Sequence, residues 1–219
     1  FMLVSAFRFI KGDRQQVRIN QYSCSANDLR EFTERFGFEF TEGQKHAVNE
    51  IYADLTSPRS MNRLLQGDVG SGKTAVALCA IFFAVKSGYQ AVMLAPTEIL
   101  AEQNYKIISR LFPDYNVVFL SGSTKAAEKK QIKAAIKSGE AKIVVGTHAV
   151  IQDDVEFCNL SMCVCDEQHR FGVGQRSALV AKGVIPDVLV MSATPIPRTV
   201  SLIFYGDLDI TEIKDKPKS

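Results

Sequence analysis

The 219-residue sequence has no tryptophan and only three histidines, and neither sign of charge is in excess: 26 Lys+Arg stand against 24 Asp+Glu, a formal net charge of +2. Balanced charge points to no particular partner, so any nucleic-acid surface must be a local patch. No apolar stretch approaches the roughly 18 residues of a membrane span. Residues 1–10 lack the charged leader and small-residue cleavage site of a signal peptide. The five cysteines (Cys24, Cys79, Cys158, Cys163, Cys165) are odd in number and irregularly spaced. That excludes a disulfide framework and favours a reducing cytosol. There is no internal repeat and no low-complexity segment. A composition of 46% hydrophobic and 23% charged residues is that of an ordinary globular chain and excludes disorder and collagen.

What is present is a regular alternation. Ala47, Val48, Ile51 and Leu55 form a helical stripe, and the pattern then predicts strands over 63–66, 90–95, 116–120, 142–145, 161–165 and 187–191. Helices are predicted over 74–86, 98–111 and 124–138. Strands separated by helices require crossover connections, hence an α/β fold with a mostly parallel sheet and helices on both faces. The strands are continuous apolar runs, such as Ile143-Val144-Val145, as doubly buried strands should be. Residues 1–36 differ: they read as a short N-terminal appendage or lead-in, with Leu29, Phe32 and Phe36 at helical spacing, and one domain follows over 37–213. The chain opens on Phe1 and stops at Lys216-Pro217-Lys218-Ser219, and both ends read as cuts in a longer protein.

Three motifs carry chemistry. Gly67-Asp68-Val69-Gly70-Ser71-Gly72-Lys73-Thr74 fits G-x-x-x-x-G-K-[ST] between a strand and a helix. Its glycines let backbone N–H groups wrap a phosphate at a helix N-terminus, Lys73 can reach the β- and γ-phosphates, and Thr74 can ligate Mg²⁺. Asp166-Glu167-Gln168-His169 follows a buried strand. A carboxylate at the C-terminal end of a parallel strand faces the ligand crevice, so Asp166 would hold Mg²⁺ and Glu167 would orient or deprotonate the attacking water. Ser192-Ala193-Thr194 ends a further strand, where small hydroxyls can sense the γ-phosphate.

The order phosphate loop, Ala95-Pro96-Thr97-Glu98, Gly146-Thr147-His148, Asp-Glu-Gln-His, Ser-Ala-Thr resembles superfamily 2 helicases. The longer strings QGDVGSGKT (66–74), APTEILAEQ (95–103), VGTH (145–148), DEQHRFGV (166–173) and ATPIPRT (193–199) resemble RecG, the branched-DNA translocases of bacteria. The nearest alternative is the motor of the transcription-repair coupling factors, which normally carries Phe where Ser71 stands and Glu where Gln168 stands. The resemblance implies a RecA-like P-loop NTPase fold, the first of two motor lobes. ATP and Mg²⁺ would be its cofactors, the remodelling of forks and Holliday junctions its work in repair and recombination, and the cytoplasm its location. Residues 214–219 would start the linker to a second lobe, and a wedge domain would belong to the same longer chain. The fragment alone would be near-inactive. The resemblance further implies that Gln44 reads adenine, although Thr41-x-x-Gln44 is equally a helix capping box. It implies a catalytic part for His169, coupling roles for Gln168, Arg170, Ser192, Thr194 and Arg198, and a grip on the DNA backbone by Pro96, Thr97, Gly146, Thr147 and His148. Thr97 also has the sequence context of a helix N-cap. A small-molecule P-loop kinase would account for Lys73, Thr74 and Asp166 and leave the other strings without work; a nucleotide-binding interaction module without turnover is the third class.

Two features remain outside these roles. Lys125, Lys129, Lys133 and Lys137 recur every four residues, a basic stripe that either contacts DNA or is a solvated face. Cys158, Cys163, Cys165 and His169 lack the spacing of a zinc site, and Cys163 and Cys165 read as small hydrophobes in a buried strand.

Overall fold

The computed structural model describes residues 20–37, 39–166, 186–194 and 208–215. Among these, seven strands form one sheet: β1 (Asn62–Gly67), β2 (Gln90–Leu94), β3 (Val117–Leu120), β4 (Ile143–Gly146), β5 (Leu160–Cys165), β6 (Asp187–Ser192) and β7 (Asp209–Ile213). Their spatial order is β3-β4-β2-β5-β6-β1-β7, and every pair is parallel. The helices are α1 (Ala26–Phe36), α2 (Glu42–Thr56), α3 (Lys73–Lys86), α4 (Glu98–Leu111) and α5 (Ala126–Ser138), with a 3-10 turn at His148–Ile151. This is the parallel α/β sheet with helices on both faces that the alternation predicts, the architecture implied by the resemblance to RecA-like motor lobes.

The two faces of the sheet bury separate cores. Leu65, Met93, Val145, Val164 and Met191 point to one side, where α3 lies, buried along almost its whole length. Leu64, Val92, Val144, Cys163 and Val190 point to the other, covered by Ile136 of α5 and by Val150 and Val155. Because α3 is enclosed between the sheet, α1 and α2, it is apolar all round and has no amphipathic signature.

Residues 20–36, within the expected lead-in, meet this same core. Phe32 of α1 is 1% exposed and packs against Phe36, Phe40, Phe82 and Phe112. The Tyr22 hydroxyl donates to the Asp187 carboxylate at 2.7 Å, with the Ser161 carbonyl 3.0 Å away. Residues 1–19 lie outside the described residues.

Two differences from the sequence-based expectation have physical causes. Strand β7 was not predicted, because Asp-Ile-Thr-Glu-Ile is an edge strand with only part of its length buried and never forms a continuous apolar run. Helix α5 starts after Lys125 rather than at Thr124, because the Thr124 hydroxyl accepts from Ser121 N at 3.0 Å and closes the preceding turn.

Edge strand β7 is held by a polar network as well as by its ladder. Arg63 of β1 donates to Asp54 Oδ2 at 2.6 Å, to Glu50 Oε2 at 3.2 Å and to Thr211 Oγ1 at 2.6 Å, and Thr211 donates to Glu50. Burial alone would lower the Arg63 pKa, but the hydrogen bond and charge of Asp54, with the charge of Glu50, raise it above its ordinary value. Arg63→Met leaves two carboxylates without their cation. It is expected to cost about 2–3 kcal/mol, less than a fully buried pair because both acids are partly exposed. Lys137→Met, which breaks an exposed pair with Glu156, should stay within about 0.5 kcal/mol. Urea midpoints of the two variants check this: equal midpoints contradict the network's role.

Candidate active site

Parallel pairing delivers the C-terminal end of every strand to one edge. Along that edge, consecutive strands β1, β6 and β5 present the phosphate-loop sequence, Ser192-Ala193-Thr194 and Asp166. With strands about 4.8 Å apart, the loop and Asp166 are about 10 Å from each other with Ser192 between them. That spacing suits a polyphosphate held at one end and its metal at the other.

The loop is built by its backbone. Gly70 and Gly72 sit at φ 83° and 80°, in the left-handed region, and the Ser71 N–H donates to the Asp68 carbonyl at 3.1 Å, closing the turn before α3. Gly67 is required for a different reason: a Cβ there would lie 2.6 Å from Ser71 Oγ and 2.9 Å from the Ile213 carbonyl of β7. Among the described residues the buried Ser71 hydroxyl has no hydrogen-bond partner. Lys73 Nζ donates to the carbonyls of Gly67 at 2.6 Å and Asp68 at 2.8 Å, so the cation is folded across its own loop. Asp68 and Val69 are exposed at the loop tip. Thr74 stands in the first turn of α3.

Gln44 forms the capping box with Thr41, accepting from Thr41 N at 3.0 Å while Thr41 Oγ1 accepts from Gln44 N at 3.3 Å. Its Nε2 also donates to the Ser71 carbonyl at 2.9 Å. The buried amide therefore braces the phosphate loop from beneath, a contact that the sequence did not predict.

Asp166 continues β5, its N–H donating to the Leu94 carbonyl at 2.8 Å. Its Oδ2 accepts from Asn104 Nδ2 at 3.2 Å. Asn104 is absent from the sequence-derived residues. The signal for it was a polar residue breaking the buried stripe of α4 between Ala101 and Ile108. Ser192 Oγ donates to the Thr194 carbonyl at 3.0 Å and accepts from Thr194 N at 3.2 Å, which brings these two coupling candidates together. Glu167, Gln168, His169, Arg170 and Arg198 lie outside the described residues.

The donor set fits a divalent cation. Mg²⁺ is characteristically held by one or two carboxylates together with substrate phosphates and water rather than by a closed protein cage. The Asp166 carboxylate at the end of β5 and the hydroxyl-bearing Thr74 in the first turn of α3 are oxygen donors of the type such a site uses. Among the described residues no cluster of three or more His, Cys, Asp and Glu could hold a metal by itself. Cys163 and Cys165 are buried on β5 with their sulfurs 3.8 Å apart, Cys158 is exposed, and burial holds the Cys79 thiol well above its ordinary pKa.

The other half of the same edge carries the backbone-contact candidates. Strands β2, β4 and β3 are adjacent, so loops 95–98, 146–148 and 121–124 lie side by side. Thr97 caps α4, accepting from Leu100 N at 3.4 Å, and Pro96 precedes it. Glu98 accepts from Ser123 Oγ at 2.9 Å and Ser123 N at 3.1 Å, which lowers its pKa and ties two of the loops together. Thr147 N donates to the Leu120 carbonyl at 3.3 Å, and His148 is exposed. Gly146 is buried in β4, where its missing Cβ makes room for the Leu120 carbonyl and Val150. In the lysine stripe, Lys129 donates to the Gly122 carbonyl at 2.8 Å, Lys133 pairs with Asp154, and Lys137 pairs with Glu156 at 2.7 Å. These three lysines have partners within the chain, and Lys125 and Lys130 are exposed on the first half of the helix.

The two glycine types predict different outcomes. Gly146→Ala places a Cβ 1.9 Å from the Leu120 carbonyl and should cost about 3 kcal/mol by forcing β3 and β4 apart. Gly70→Ala meets nothing within 4 Å and should cost only the about 1–2 kcal/mol of a left-handed non-glycine residue. Thermal unfolding of the two variants measures the difference; a larger loss in Gly70→Ala contradicts the packing explanation.

The sequence pattern of the DEAD/DEAH box helicases matches residues 41–203. The chain is similar to the ATP-dependent DNA helicase RecG of Streptococcus pneumoniae serotype 4, at 53% identity over 82% of this chain and 27% of that protein. It is similar to the RecG of Aquifex aeolicus at 52% identity over 99% of this chain and 28% of that one. A solved structure of RecG bound to a three-way DNA junction superposes with a TM-score of 0.82 at 42% identity, over 98% of this chain and 29% of that chain. The chain thus spans under a third of the length of these relatives, and the likeness to RecG seen in its motifs extends across nearly all of it.

Proposed function

The chain belongs to the DEAD/DEAH box helicase family, and on that premise we propose that it is the ATP-binding first lobe of a RecG-like motor, coupling ATP hydrolysis to movement on branched duplex DNA. The carrying observation is the adjacency of three strand ends, β1, β6 and β5, which lines up a phosphate-loop sequence, a paired Ser192–Thr194 turn and Asp166 at one end of the sheet. A P-loop kinase needs only the first and last of these. It gives no work to the backbone loops at 95–98 and 146–148, and it is not favoured. The motor of a transcription-repair coupling factor is likewise not favoured.

The residues would act as follows. Phosphate entering the loop exchanges the Lys73 bonds to Gly67 and Asp68 for bonds to β- and γ-oxygens, and the N–H groups of residues 70–74 take the remaining charge. Thr74 and Asp166 would hold Mg²⁺, which would supply positive charge against the phosphates of the nucleotide. Glu167 orients the attacking water, with His169 beside it in sequence. Ser192 and Thr194, between loop and carboxylate, change partners when the γ-phosphate leaves, and pass that change to Gln168, Arg170 and Arg198. Gln44 supports the loop from beneath and reaches adenine by exchanging its Ser71 bond. Pro96, Thr97, Thr147 and His148, with the backbone at Gly146, grip sugar and phosphate without reading bases. A second RecA-like lobe supplies the opposite wall of the crevice and an arginine for the developing charge, a group worth about 10³–10⁵ in rate. A wedge domain of the longer protein holds the fork or Holliday junction, and the work takes place in the cytoplasm.

The test is DNA-stimulated ATP hydrolysis by the full-length protein with forked DNA. Lys73→Ala should lower turnover at least about a hundredfold and abolish fork unwinding, with the fold intact. Glu167→Gln should preserve nucleotide affinity and lower kcat, whereas Asp166→Asn should weaken Mg²⁺-dependent binding. Near-normal turnover in Lys73→Ala, or equal effects of the two acidic variants on affinity, contradicts the proposal.

A further inference from the structure

We infer that Asn104 is a positioning residue that fixes the Asp166 carboxylate for its divalent cation; the inference rests on the proposed role of Asp166 as cation ligand. Asn104 is 8% exposed on the inward face of α4, between the fully buried Ala101 and Ile108. A buried amide at such a position is costly unless it is hydrogen-bonded. Its Nδ2 is aimed at Asp166 Oδ2, 3.2 Å away. The backbone of Asp166 is held by its N–H bond to the Leu94 carbonyl, and the Asn104 amide adds a restraint on its side chain.

The chemistry of the donor suits this task. An amide N–H is neutral, so it orients the carboxylate without neutralising it, and Asp166 keeps the full negative charge that a cation requires. A lysine or arginine at the same place would compete with the metal. Partners of this kind, one step removed from a metal, typically account for about 10–100-fold in metal affinity. The contact also joins Asp166 to the helix capped by Thr97, about 10 Å further along α4.

The experiment is a titration of free Mg²⁺ against fluorescent ADP binding by the full-length protein, with Asp166→Asn as control. Asn104→Leu and Asn104→Ala, which lack a donor, should raise the Mg²⁺ concentration at half-saturation about 10–100-fold and leave Mg²⁺-free ADP affinity unchanged. Asn104→His keeps an N–H donor and should recover most of that loss. If Asn104→Leu fails to fold, Asn104→Ala decides. A half-saturation within twofold of the parent in the donor-less variants, while Asp166→Asn shifts it, overturns the inference alone. A uniform loss in all three Asn104 variants assigns the residue to packing and overturns it as well. No shift in Asp166→Asn overturns the cation role of Asp166, and the inference with it.

Discussion

Burial of an all-parallel sheet on both faces is the constraint from which the rest follows. Parallel neighbours cannot be joined by tight turns, so each connection must cross a face of the sheet, and the helices that make those crossings cover it. Leu64 and Leu65, adjacent on β1, point into different cores. The same rule sends the C-terminal ends of all seven strands to one edge. The chemistry-bearing loops are neighbours because their strands are, although Gly67 and Ser192 are far apart in sequence.

The edge divides into two halves with different construction. On the β1-β6-β5 half, side chains bond within their own loops: Lys73 donates to carbonyls of its own loop, and Ser192 bonds Thr194. On the β2-β4-β3 half, side-chain bonds hold the loops in a fixed relation, with Glu98 on Ser123 and Thr97 capping α4. Helix α4 packs against β4 and β3 and carries Thr97 at its start and, two turns later, Asn104 against Asp166. At the opposite edge, Gln90 uses its whole amide. It donates to the carbonyls of Ile136 and Ala141 and accepts from the N–H groups of Cys158 and Asn159.

The buried strands and the phosphate loop were legible in the sequence because doubly buried strands are continuous apolar runs and the glycine spacing fixes the loop. Strand β7 was not, because an edge strand buries only part of its length. The brace from Gln44 to Ser71 was hidden because a capping-box glutamine already had a local explanation, and the second bond spans 27 residues of sequence. Asn104 was hidden for a similar reason: its partner is 62 residues away, and a single asparagine in a helix has no periodicity of its own. Gly146 is grouped by its sequence with a backbone-gripping motif, and the structure adds that a Cβ there would meet the Leu120 carbonyl of β3, a contact with no local signal. Local patterns reveal local causes; contacts between distant strands need the fold.

Amide hydrogen exchange of the full-length protein, with and without Mg·ADP, tests most directly whether nucleotide sits on the β1-β6-β5 half of this edge. The account predicts protection concentrated at residues 41–44, 66–75, 166 and 192–194. Residues 87–90 and 139–142 at the opposite edge should be unchanged. Protection at the opposite edge, or none at residues 66–75, would contradict it.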